Sequence, residues 1–330
     1  MSTIPTSLPQ SGFLTPPQVG LAYNVPLPSA TQGAGFTVGI ISLGGGFRQS
    51  DLNKSFADLK TAGLLPAGAV APTVNVTLID GATGTYGVNS SYDFENTGDI
   101  YCVGTMVPGA SINIYIGLNT LLSFNNCIAQ AVADHVDVIT ISWGGDEVLQ
   151  GDFLTTSLTA AAAARIPVLV STGDYGSAVN SHDFSEYPQY PASSPLVIAV
   201  GGTNLTLDTN NQRLTETVES NDPEFSNYPG WGGGGGISTL FSAPSWQAGL
   251  SYTPYNTSTG AGSPTTLTKR GIPDISLAMN AYVLYKGGGL AYFGGTSAAT
   301  PVMAGIMVRL IEATGKRQSS ADWNKFFYSN

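Results

Sequence analysis

The stretch Gly294-Gly295-Thr296-Ser297-Ala298-Ala299-Thr300-Pro301 delivers one serine to the head of an apolar run, Val302 to Ile311. Glycines allow a sharp turn and leave room for a ligand to approach. The run has helical length, and Pro301 is expected within its first turn, where a missing N–H costs little. A hydroxyl at a helix N-terminus sits in a field that favours developing negative charge. That suits a nucleophile, and it suits an N-cap equally well. Both readings of Ser297 stand at this point.

A serine nucleophile needs a base within hydrogen-bond reach, and usually a third group to orient the base. Histidine is the common choice, but the chain has only two. His135 follows an amphipathic segment and His182 lies in a polar loop; each reads as an ordinary surface or loop histidine. Two His and two Cys, Cys102 and Cys127, lack the spacing of a zinc site. The cysteines could form one disulfide or remain buried thiols. The other available bases are carboxylates. Glu95 and Asp99 stand four apart, so a helix there would project both from one face, about 5–6 Å apart at Cβ. Asn96, Thr97 and Gly98 between them are poor helix formers, and a solvated surface pair is the plain alternative.

The elements that must position these groups alternate along the chain. Strands are expected at 36–43, 74–79, 111–117, 136–142, 166–172 and 196–200, and helices at 50–62, 122–135 and 153–165. Continuous apolar strands between helices indicate an α/β fold with a mainly parallel central sheet covered on both faces. Ligands of such sheets sit beyond the carboxyl ends of the strands. Ser142-Trp143-Gly144, Thr172-Gly173-Asp174 and Gly201-Gly202-Thr203 all lie there. Residues 1–34 read as an extended N-terminal arm, 92–107 as a mixed pattern, and 204–292 as loop-rich around the glycine run 232–236. No repeat or linker divides the 330 residues, so a single domain is expected.

Composition narrows the function. With 12 Lys+Arg against 22 Asp+Glu and a net charge of −10, a basic nucleic-acid face is excluded. No apolar stretch approaches the ~20 residues of a membrane span. The opening Met1-Ser2-Thr3-Ile4-Pro5 shows no basic segment followed by an apolar run, so no signal-peptide pattern is visible. Asn75, Asn89, Asn204 and Asn256 head sequons, a short pattern that recurs by chance.

The serine turn, the acidic pair and Gly173-Asp174, in that setting, resemble the sedolisins, the serine-carboxyl peptidases, and among them the kumamolisin group. The likeness runs from about Leu14 to Tyr328. It includes 16–24 (PPQVGLAYN), 40–46 (IISLGGG), Gly98-Asp99-Ile100, 107–112 (VPGASI), 141–144 (ISWG), 171–176 (STGDYG), 190–195 (YPASSP), 200–203 (VGGT) and 270–274 (RGIPD). The resemblance implies a subtilisin-like fold and peptide-bond cleavage in acid. It implies Ser297 as nucleophile, Glu95 as general base, Asp99 as its supporting acid and Asp174 lining the oxyanion hole, with Trp143 in the surrounding shell. A carboxylate of pKa ~4.3 would remain a usable base at pH 4, where a histidine is protonated.

Three features depart from that pattern. Ser42 stands where the kumamolisin group carries a glutamate tied to its acid network, so a shorter proton relay is expected. Residue 1 falls at the mature-domain start, with no prodomain ahead. The family's C-terminal calcium loop has no counterpart, so neither a metal nor another cofactor is expected. A monomeric acid endopeptidase acting on proteins or peptides, extracellular or in another acidic compartment, is the leading reading. The alternative is a catalytically silent relative that binds peptides or a protein partner. An unrelated esterase would need a G-x-S-x-G elbow, which is absent.

Overall fold

A computed structural model of the chain describes residues 13–176, 188–219, 231–256, 260–280 and 282–329. His182 lies outside them. In chain order the elements begin with α1 (Pro16–Ala22), β1 (Thr37–Ser42), α2 (Gln49–Thr61), β2 (Val74–Leu78), α3 (Ser90–Met106), β3 (Ser111–Ile116), α4 (Leu121–Ala133) and β4 (Val138–Ile141). Then come β5 (Gly145–Asp146), α5 (Glu147–Gln150), α6 (Thr155–Ala163), β6 (Val168–Ser171), β7 (Gln189–Tyr190), β8 (Ile198–Leu207) and β9 (Arg213–Val218). The next strands are β10 (Gly236–Ser242), β11 (Ser251–Tyr252), β12 (Tyr255–Asn256), β13 (Gly260–Ala261), β14 (Thr265–Thr266), β15 (Lys269–Ile272), β16 (Ile275–Ala278), β17 (Tyr282–Lys286) and β18 (Gly289–Phe293). Helices α7 (Thr296–Thr314) and α8 (Ser320–Tyr328) close the chain.

The central sheet has the order β16-β8-β6-β4-β1-β3-β2, every pair parallel, with β9 added antiparallel to β8. Alternate side chains of one strand feed opposite faces, as the pleat dictates. Ile40 of β1 packs under α2, α3 and α7 with Leu52, Phe56, Ile100, Val302 and Met303. Its neighbour Ile41 packs under α4 and α6 with Ile128 and Leu158. This is the parallel sheet covered on both faces that the apolar strands implied, and it separates the two cysteines. Cys102 lies on the first face and Cys127 on the second, both as buried free thiols.

Two expectations are corrected. Residues 14–22 are not an extended arm: Leu14 bridges to Tyr282, and Pro16–Ala22 forms a buried helix. Gln18 receives the Thr15 N–H at 3.0 Å, a capping box that offsets the brevity of α1. Residues 204–292 are also more ordered than their composition suggests. β8 continues to Leu207, β16 joins the central sheet parallel to it, and the other described strands of the region pair in short antiparallel ladders. Several of those strands are two residues long, too short for alternation to register in a sequence. The carboxylate of Glu147, 0% exposed, accepts from Ser238 Oγ at 2.7 Å and Thr239 N at 2.7 Å. It pins the segment that follows Trp143 onto β10.

Candidate active site

Three carboxyl ends of the sheet and one helix converge on Ser297. That residue is the second of α7; the N-cap is Gly295, whose φ is 90°. The capping reading of Ser297 therefore does not hold. The turn needs glycine at 295 twice over. Its backbone is left-handed, and a Cβ there would come within 2.4 Å of Asp174 Oδ2. Pro301 is the sixth residue of the helix rather than part of its first turn. It thus withholds an N–H from the carbonyl of Ser297, four residues back.

Helix α3 forms against its local propensity. Asn89 caps it through Ser91 N and Tyr92 N, Thr97 bonds back to Asp93 O at 2.7 Å, and residues 96–106 are buried throughout. Tertiary packing supplies what the sequence withholds. Gly98 explains itself by contact: a Cβ there would meet the Phe293 ring at 2.4 Å. Phe293 closes β18, immediately before the serine turn, and also meets Phe94 edge-on at 5.5 Å. The aromatic contact sets the depth at which β18 delivers Ser297 to the Glu95–Asp99 face.

Ser297 is half-buried, so it faces both solvent and protein. Burial pushes the Glu95 carboxyl group up, to about 8, and the neighbouring Ser297 hydroxyl opposes that push. Asp99 is 0% exposed and held well above the ordinary aspartate value by burial first and the Glu95 charge second. Neither group therefore keeps the unperturbed value from which acid function was argued, and the two titrate as one pair. Asp99 Oδ1 accepts from Ser142 Oγ at 2.8 Å, while Asp99 Oδ2 and Glu95 Oε1 are buried with no donor.

Across the turn, Asp174 Oδ1 accepts from Thr296 N at 2.7 Å and Thr296 Oγ1 at 3.0 Å. Burial raises its pKa, opposed by the two Thr296 donors. The glycine run explains how Asp174 is held. Gly232 N donates to Asp174 O at 2.9 Å and Gly234 N to Gly173 O at 2.7 Å. At Gly234 a Cβ would fall 2.0 Å from Thr172 O, so only bare backbone lies that close.

The expected outer shell is arranged differently. Ser42 bonds to Asn96 Oδ1 and to Gly44 O at 3.1 Å, away from the acid pair. Trp143 meets Tyr92 of α3 edge-on at 5.0 Å, its Nε1 buried without a partner. Asp99 is thus tied by a hydrogen bond to Ser142 rather than to Ser42. Nothing but the position of Ser142 past a strand end marked that residue in the sequence. Gln189 was unmarked altogether; its amide fills the gap between the strand-end loops, so that a Cβ at Gly173 would lie 2.7 Å from its Cδ. A cleft of about 350 Å³ opens beside it, lined by Leu43, Leu121, Phe124, Trp143, Gly144 and Gln150 among others.

His135 is exposed at the end of α4 and does not enter the site. Among the described residues no three His, Cys, Asp or Glu side chains gather as a metal site requires. No helix among them is long and apolar enough to cross a membrane.

Residues 85–325 match the model of the subtilase family. Kumamolisin of Bacillus sp. (strain MN-32) is 35% identical over 318 residues, which cover 92% of this chain and 53% of that protein. Sedolisin of Pseudomonas sp. (strain 101) is 31% identical over 307 residues, covering 86% and 48%. The solved structure of Pseudomonas sedolisin, a serine-carboxyl proteinase complexed with two molecules of pseudo-iodotyrostatin, superposes with a TM-score of 0.75 at 27% identity, covering 97% of this chain and 86% of that one. The chain spans about half the length of the curated relatives it matches.

Proposed function

Since the chain belongs to the subtilase family, on its sedolisin or serine-carboxyl peptidase branch, we propose that it hydrolyses peptide bonds by acyl transfer through Ser297. The observation that carries this reading is a half-buried serine beside the Glu95–Asp99 acid pair, with a third carboxyl group, that of Asp174, hydrogen-bonded to the serine turn. Ser297 Oγ forms a bond to the substrate carbonyl carbon as its proton passes to Glu95. The C–N bond then breaks, and Glu95 gives that proton to the departing amine. Water repeats the sequence on the acyl-enzyme, restoring Ser297. Asp99 orients Glu95 from behind. Asp174, while protonated, donates to the oxyanion beside the backbone N–H of Ser297. Substrates are proteins or peptides.

The same groups set the pH range. Glu95 must be ionised to act as a base, so burial moves the rising limb above the ~4.3 of an ordinary glutamate. Asp174 must be neutral to donate, so its ionisation sets the falling limb. A bell-shaped profile bounded by these two ionisations is expected for kcat/KM.

An unfolded protein offered between pH 3 and pH 9 to the parent chain and to Ser297→Ala tests the assignment. The variant is expected to be slower by at least about 10³-fold. Equal cleavage by the two would sink the serine assignment. Asp174→Asn keeps a donor that does not titrate. It is expected to lose about 10-fold in rate, less than the 10²–10³ of a missing oxyanion donor, and to flatten the falling limb. An unchanged falling limb rules Asp174 out of that role.

A further inference from the structure

Ser142 carries a hydroxyl that this scheme does not use. It sits just past β4, between α3 and α7, with its Oγ 2.8 Å from Asp99 Oδ1 and 3.4 Å from the carbonyl oxygen of Ser297. That carbonyl is deprived of its helical donor by Pro301, which has no N–H. One hydroxyl hydrogen therefore faces two acceptors, and the shorter contact is to Asp99. Asp99 Oδ2 and Glu95 Oε1 are both shut off from solvent without a donor. Unmatched buried carboxyl oxygens are costly, and two carboxyl groups four apart on one helix face can satisfy each other with a single proton.

We propose that Ser142 is the positioning residue that decides which carboxyl group of the pair holds that proton, and on which oxygen. Its hydrogen bond makes Oδ1 the acceptor oxygen of a neutral Asp99. The acid proton then sits on Oδ2, aimed at Glu95 Oε1, and Glu95 is left as the ionised member. During acyl transfer Asp99 and Ser142 keep their protons; only the proton of Ser297 travels, to Glu95 and on to the amine. The surroundings of Asp99 agree with this order. Glu95 and the buried thiol of Cys102 face it from its own helix, Ser142 approaches from the β4 side next to the Ser297 carbonyl of α7, and Asp174 on the β6 side acts on Glu95. None of these groups is cationic, so the balance falls to burial and to the Glu95 charge, both of which keep Asp99 protonated.

The inference rests on the roles given above to Ser297 and Glu95, and two measurements separate its failure from theirs. The first is the pH profile of kcat and KM for one chromogenic peptide with the parent, Ser142→Ala and Ser142→Thr. The Ala variant is expected to lose about 10–100-fold in kcat with KM little changed, and its rising limb should move up by about one pH unit. Ser142→Thr restores both. Superposed rising limbs for the parent and Ser142→Ala would overturn the proposal, even with a lower rate. The second needs no peptidase activity. On a Ser297→Ala background, the infrared C=O band of protonated Asp99, identified by its loss in Asp99→Asn, should move to higher frequency in Ser142→Ala. A band that stays in place overturns the proposal whatever the parent cleaves. Should the Ala variant not fold, Ser142→Cys, close in volume but a weak donor, is expected to shift both readouts in the same direction; no shift there counts equally against it.

Discussion

Replacing Glu95 with Gln is expected to remove activity and stabilise the protein in the same step. The loss follows from the missing base, about 10²–10⁴-fold for a general base in the transition state. The gain follows from linkage. Burial raises the folded pKa of Glu95 above its unfolded value of about 4.3, so the native state binds more protons than the unfolded chain. The stability associated with that proton is fully present below pH ~4.3 and is lost as pH rises through the folded value. Each unit of upward displacement corresponds to about 1.4 kcal/mol at pH above both values. Gln carries no such charge. The difference in Tm between Glu95→Gln and the parent, both on a Ser297→Ala background to prevent self-digestion, should vanish near pH 4 and widen toward pH 8. A difference that is constant across that range would mean that burial does not raise the pKa of Glu95. Asp99 and Asp174 are raised by burial too, so the parent itself is expected to be most stable in acid.

Arg270→Met should produce the largest purely structural loss. The guanidinium of Arg270 and the carboxylate of Asp274 are both 0% exposed and meet in two parallel contacts, Nη1 to Oδ1 at 2.6 Å and Nη2 to Oδ2 at 2.5 Å. The same carboxylate accepts Ala199 N from β8 at 2.8 Å, Asn324 Nδ2 at 3.3 Å and Tyr328 OH at 3.1 Å from α8. Removing the cation leaves a buried charge without its partner, which costs about 3–5 kcal/mol. For a chain of this length that is a fall of roughly 4–7 °C in Tm. Arg270→Met combined with Asp274→Leu should recover much of it, because the uncompensated charge goes with its partner. A single variant that melts with the parent would show that the pair is not what joins α8 to the sheet.

The parallel sheet was legible because its strands are buried on both faces and read as unbroken apolar runs, β1 and β6 most clearly. The serine turn was legible because glycine, serine and an apolar helix occur in order. Helix α3 was not, since Asn96, Thr97 and Gly98 argue against it locally and its support comes from α7 and β18, nearly two hundred residues later. By spacing the acid pair was conditional on a helix that local propensity disfavours, and its assignment came from the family resemblance around Gly98-Asp99-Ile100. Perturbation of its pKa values was equally out of reach, because burial belongs to the assembled site. Ser142 and Gln189 carry no spacing signal; what distinguishes them is which loops close on them. The buried pair behind 270–274 looked like one more short block, although four residues separate a salt-bridged Arg and Asp.

The contact between Gly98 and Phe293 has a consequence for how this sequence can vary. The ring occupies the volume that any side chain at 98 would need, so the two positions form a size-matched unit whose members lie on different elements. Either change alone, a methyl group added at 98 or the ring removed at 293, disturbs the seat of the nucleophile. Made together, the two changes could conserve volume. Drift at these sites should accordingly be concerted, and a library that randomises one of them alone should return almost only the starting residue.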